Sequence, residues 1–161
     1  LDASSEHYQK AYKIAKALAA AGYGVITGGG GGIMEAANRG AFEAGGDSIG
    51  INVILPNEQQ LNPYCTKSLT LNNLNERKEA LIKDSFAFII LPGGFGTLDE
   101  AFEVITLAQA RLRDHKVIFV QRDFWEPLFN FLDNLVNLGL VDKNSYYSAD
   151  NIDEIMDILL L

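Results

Sequence analysis

Ile89-Ile90-Leu91-Pro92-Gly93-Gly94-Phe95-Gly96-Thr97-Leu98-Asp99-Glu100 carries an apolar run into glycines and out into an amphipathic pattern. The same order occurs upstream, in Val25-Ile26-Thr27-Gly28-Gly29-Gly30-Gly31-Gly32-Ile33-Met34-Glu35. Each stretch reads as a buried strand that turns through glycine into a helix. Such a turn collects bare backbone N–H groups and a helix N-terminus at one spot, which favours an anion such as phosphate. Two of these loops in one small chain predict one site gripped from two sides. Glu100, in the first turn of the second helix, is then expected to face the ligand.

Outward from these loops, strands and helices alternate. Helices are expected at Ser5–Ala21, Ile33–Ala44, Asn75–Lys83, Leu98–Leu112, Glu126–Leu138 and Ile152–Leu160. Strands are expected at Tyr23–Thr27, Ser48–Val53, Lys67–Leu71, Phe86–Leu91, Val117–Val120 and Ser145–Ser148, with a polar loop at Pro56–Pro63. Phe86–Leu91 is the most apolar strand and shows no alternation, so both its faces are expected to be covered. The pattern predicts an α/β fold, a Rossmann-like, doubly wound parallel sheet with helices on both faces. Ligands bind such sheets at the carboxyl ends of the strands, where both glycine loops lie. We expect a single domain over 1–161. The sequence opens at Leu1, already in a helical pattern, so a strand preceding the first helix is expected to be missing.

The 161 residues are 48% hydrophobic and 21% charged, enough apolar content to build a core. A net charge of −8 argues against general binding to nucleic acid or an anionic membrane, though local backbone dipoles can still hold a small phosphorylated ligand. Cys65, the single cysteine, cannot form an internal disulfide, and a reducing cytoplasm is the natural setting. No apolar run approaches the roughly 20 residues of a membrane span. His7 and His115 have no Cys or His at metal-ligand spacing and read as surface residues, so no metal or cofactor is expected. Trp125, with Phe124, Phe129 and Phe131, reads as core or a subunit contact.

The first loop is neither a dinucleotide fingerprint, because no acidic residue closes a second strand about 20 residues on, nor a P-loop, because no Lys-Ser/Thr follows. Five consecutive glycines exceed what a turn needs. In the second loop, Thr97-Leu98-Asp99-Glu100 also matches a capping box, with Thr97 as N-cap and Glu100 bonding back to the cap. A capping box does not need three glycines ahead of it, which favours a ligand. Asn75-Glu76-Arg77-Lys78 opens the third helix. Arg77 could reach a site as a planar, permanently charged donor, but residues alone favour a solvated charged face.

Pro92–Glu100 resembles the PGGxGTxxE signature of the LOG-like proteins, cytokinin riboside 5′-monophosphate phosphoribohydrolases also called possible lysine decarboxylases. Thr27–Ala41 resembles the second signature of their bacterial branch, although Gly31 stands where that branch often has proline, and Glu35 where plant members often have glycine. The resemblance runs from the first helix to about Leu140. It implies a Rossmann-like dimer that cleaves the N-glycosidic bond of a nucleoside 5′-monophosphate, AMP or N6-substituted AMP, to a free base and ribose 5-phosphate. It makes Glu100 the catalytic residue and Arg77 its partner, raising Arg77 above the solvated-face reading. Gly93, Gly94, Gly96 and Thr97 would hold the phosphate. Gly28, Gly29 and Gly30 would line the nucleotide pocket with Met34 near the base, and Lys78 would complete the basic pair.

The competing reading is a nucleotide-binding sensor without turnover. A decarboxylase would need pyridoxal phosphate on a Schiff-base lysine, which nothing here singles out. The apolar helix Leu98–Leu112 is the candidate homodimer interface.

Overall fold

The computed structural model describes residues 2–54, 56 and 60–161. The chain divides into two compact units, residues 1–84 and 85–161. Both are α/β, each with a three-stranded parallel sheet.

The first unit runs α1 (Glu6–Ala20), β1 (Val25–Thr27), α2 (Ile33–Glu43), β2 (Ser48–Val53), β3 (Lys67–Leu71) and α3 (Leu74–Lys83), with strand order β1-β2-β3. Val25, Ile26 and Thr27 pair with Ser48, Ile49 and Gly50. Every expected element of this unit is present, with ends shifted by two residues at most. The expected loop over 56–63 is non-regular where described, and its residues 57–59 lie outside the described residues.

The apolar repeat of α1, Ala11, Ile14, Ala15, Leu18 and Ala19, is buried. It meets α2 at close range because Gly40 has no side chain. A Cβ there would lie 2.3 Å from the Tyr12 carbonyl oxygen and 2.9 Å from the Lys16 nitrogen. These are backbone atoms, so neither helix could yield without moving as a whole.

Asn38, midway along α2, is fully buried, and its carboxamide ties the helix to the sheet. Its Nδ2 donates to Ser48 Oγ (2.9 Å) and the Ile49 carbonyl (3.3 Å), and Ser48 Oγ donates back to the Asn38 carbonyl (2.9 Å). Its Oδ1 accepts from Thr27 Oγ1 (2.5 Å) and Asn62 Nδ2 (2.9 Å). Asparagine is a poor helix former, and a buried amide is costly unless its hydrogen bonds are made. Here both ends of the amide are partnered.

The second unit runs β4 (Ala87–Ile90), α4 (Phe95–Gln109), β5 (Lys116–Val120), α5 (Arg122–Asn137), β6 (Tyr147–Ala149) and α6 (Ile152–Leu159), with order β4-β5-β6. The expected covering of both faces of Phe86–Leu91 needs correction. Phe86 is exposed, and β4 is fully buried only at Ile90. The most buried strand is β5, Val117–Val120, because it is central in its sheet. The Phe119 ring sits edge-on to Trp125 (5.1 Å), Phe129 (5.7 Å) and Tyr146 (5.5 Å). Trp125 is thus core, as expected, while Phe124 and Phe131 are exposed.

His115 also departs from expectation. It is buried, with Nε2 2.6 Å from the Val104 carbonyl and its ring edge-on to Phe88 at 4.9 Å. The carbonyl can only accept, so Nε2 carries the proton. A histidine directly before a buried strand gives no local sign of this.

Two substitutions test this packing. Gly40→Ala should destabilise the chain by about 1–3 kcal/mol through overpacking of α1 on α2. Urea unfolding followed by circular dichroism would show it, and an unchanged midpoint would refute the close crossing. Asn38→Ala should cost about 2–4 kcal/mol in the same experiment, since it strands the buried partners of the amide.

Candidate functional site

In the first unit the glycine run follows β1 directly. Gly28, Gly29 and Gly30 are buried, and Gly31 is exposed. Gly29 (φ +75°) and Gly32 (φ +65°) adopt left-handed backbone that favours glycine. The loop is fixed from behind. Thr27 Oγ1 accepts from Gly29 N (3.0 Å), Asn62 N donates to the Gly29 carbonyl (2.8 Å), and Asn62 Nδ2 donates to the Gly30 carbonyl (3.0 Å).

Arg77 reaches this loop from α3, whose N-terminus is capped by Asn73 Oδ1 accepting from Glu76 N (3.0 Å). A Cβ on Gly28 would lie 1.6 Å from Arg77 Nη2 and 2.7 Å from Met34 Sδ. Arg77 Nη2 is 3.6 Å from Met34 Sδ. The guanidinium therefore occupies the space that any side chain at position 28 would need. Arg77 Nε is buried and has no hydrogen-bond partner. The structure thus brings together Gly28, Met34 and Arg77, three of the residues singled out in the sequence. A solvated charged face does not describe Arg77, which is half-buried. Lys78, beside it on α3, is also half-buried.

In the second unit α4 begins at Phe95, one turn earlier than expected, with Gly94 as N-cap and no side-chain cap. Thr97 is therefore the third helical residue and not the N-cap, and the capping-box alternative falls. Glu100 is correspondingly in the second turn, not the first, and is exposed. The early start has a local cause, because Gly93 and Gly94 place no side chain in the way of a bare helix end. Thr97 folds back over Gly93, where a Cβ would lie 2.3 Å from Thr97 Oγ1, while a Cβ on Gly94 or Gly96 would meet nothing within 4 Å. Thr97 and Glu100 stand three apart and are neighbours on one helix face.

The helices α1, α3 and α6 are capped by the side chains of Ser5, Asn73 and Asn151. The two helices that follow glycine loops, α2 and α4, have no side-chain cap, and neither has α5, where Asp150 Oδ1 instead accepts from Arg122 N (2.9 Å). Their first N–H groups have no partner within the helix, and the positive end of the helix dipole lies there.

Asn38 and Asn62 were not legible as site residues. An asparagine inside a helix hints at a buried partner for Asn38; Asn62 lies in a polar loop and carries no such hint. Cys65 lies near Asn62, with Sγ 3.6 Å from Oδ1, and burial pushes its thiol up, which disfavours the thiolate. Among the described residues no cluster of His, Cys, Asp and Glu could hold a metal, and no helix is long and apolar enough to cross a membrane.

Residues 34–159 match the family described as "Possible lysine decarboxylase". Two proteins of Oryza sativa subsp. japonica, each named a probable cytokinin riboside 5′-monophosphate phosphoribohydrolase, are similar. One is 33% identical over 135 residues, 81% of this chain and 54% of that protein. The other is 32% identical over 155 residues, 92% of this chain and 74% of that protein. The chain thus spans little more than half the length of the first. The structure is similar to that of the molybdenum cofactor binding protein from Rippkaea orientalis, with a TM-score of 0.72, 24% identity, and coverage of 98% of this chain and 88% of that one. With a match over most of its length, two relatives so named and a shared α/β fold, this chain belongs to the LOG-like family described as "Possible lysine decarboxylase".

Proposed function

We propose that this chain is a nucleoside 5′-monophosphate N-glycosidase that hydrolyses AMP or N6-substituted AMP to the free base and ribose 5-phosphate. The observation that carries the reading is the uncapped N-terminus of α4 after Pro92-Gly93-Gly94, with Glu100 a turn further along. In this reading Gly93, Gly94, Gly96 and Thr97 hold the phosphate through backbone N–H groups, the Thr97 hydroxyl and the helix dipole. The phosphate then anchors the substrate away from the reacting centre.

Breaking the C1′–N bond builds positive charge on the ribose. The Glu100 carboxylate stabilises that charge, or takes the proton of the attacking water as its oxygen bonds to C1′. The departing base nitrogen receives a proton, so water is divided between the two products. Arg77 holds the ligand or assists the departing base, with Lys78 as the second member of the basic pair. Gly28, Gly29 and Gly30 line the nucleotide pocket, with Met34 near the base. The reaction needs no cofactor and no metal. We place the protein in the cytoplasm as a homodimer, acting on a small nucleotide and not on nucleic acid or membrane.

Incubation with AMP should release adenine and ribose 5-phosphate, resolved by chromatography. Glu100→Gln should lower kcat by about 10²- to 10⁴-fold with AMP affinity near that of the unsubstituted chain. Full activity in that variant would remove Glu100 from the mechanism. AMP binding without release, and likewise with N6-substituted AMP, would favour the sensor. Gly28→Ala should cost on the order of 10²-fold in kcat/KM, because its methyl displaces the Arg77 guanidinium by more than an ångström. Unchanged kinetics in the folded variant would show that the seat of Arg77 is immaterial.

A further inference from the structure

Asn62 makes a pattern of bonds that a loop staple does not require. Its backbone N–H donates to the Gly29 carbonyl (2.8 Å), and its side-chain Nδ2 donates to the next carbonyl, that of Gly30 (3.0 Å). The same Nδ2 reaches the buried Asn38 Oδ1 (2.9 Å), and Asn62 Oδ1 accepts from Tyr64 N (3.0 Å). The residue is 5% exposed, and all the polar atoms of its carboxamide side chain are engaged.

In a trans peptide the C=O and N–H point in opposite directions. Holding the Gly29 and Gly30 carbonyls toward Asn62 therefore turns the N–H groups of Gly30 and Gly31 away from it. Of the two residues, Gly30 is buried, whereas Gly31 is exposed and a Cβ there would meet nothing within 4 Å. Two successive N–H groups facing one way form a concavity for an anion. Left to itself, a run of five glycines would sample many orientations of these peptides.

We infer that Asn62 is a positioning residue. By fixing two successive carbonyls it pre-orients the Gly30 and Gly31 amides toward the nucleotide. It touches no substrate itself, and it deepens the glycosidase reading, on which it rests for the identity of the ligand.

Asn62→Ala tests this. A residue that merely supported the fold would lower the active fraction, and so kcat, at constant KM. A residue that orients binding groups instead raises KM at near-constant kcat. We expect KM for AMP to rise on the order of tenfold, the size of one well-made hydrogen bond. An unchanged KM in the folded variant overturns the inference. If the unsubstituted chain binds AMP without hydrolysing it, the glycosidase reading fails but this inference does not. The AMP dissociation constant from calorimetry then replaces KM, with the same expected and overturning results. Should the variant not fold, the unsubstituted chain still decides. In ¹H–¹⁵N spectra titrated with AMP, the Gly30 and Gly31 amides should shift, and their failure to shift overturns the inference.

Discussion

The Asn38 carboxamide is the interaction on which the first unit depends. It is fully buried and joins α2 to the end of β1 through Thr27, to the start of β2 through Ser48, and to the segment after β2 through Asn62. Buried polar groups of this kind do little for net stability when satisfied and cost much when broken, so they select one arrangement over others. The arrangement selected is the glycine loop itself. Thr27 and Asn62, both bonded to Asn38, are also the residues that hold Gly29 and Gly30.

Glycine acts in three separate ways across the chain. At Gly40 it lets two helix backbones approach. At Gly28 it vacates the volume that the Arg77 guanidinium fills. At Gly94 it begins a helix without a side-chain cap, leaving the first N–H groups for another acceptor. Only the third use is the generic property of glycine-rich loops; the first two depend on a particular neighbour. Such neighbours explain why the position of each glycine matters more than the number of glycines in the run.

The alternation of strand and helix was legible because it is local. Ser48–Val53 and Lys67–Leu71 are strands over the residues expected, and α2, α3 and α6 agree within a residue or so. Errors gathered where a helix begins. Both α4 and α5 start a few residues before the expected position, since the apolar period becomes visible only after the first turn is under way. Pro127 sits inside α5. Burial was harder to read than element type. The apolarity of Phe86–Leu91 led to the expectation that both its faces are covered, but burial follows a strand's place in its sheet, and β5 holds the central place in this one.

The sequence by itself determined the class of fold, the two glycine loops at strand ends and the helices that follow them. These rest on apolar periodicity and on glycine placement, which act over a few neighbouring residues. Tertiary structure alone decided the seat of Arg77 against Met34, 43 residues away, and the grip of Asn62 on Gly30, 32 residues away. It also decided that His115 is buried and that Thr97 lies inside its helix. The physical reason is that a side chain's partners across the fold leave no periodic trace. An arginine after a capped helix start has the same local sequence whether it meets solvent or fills the space left by a glycine.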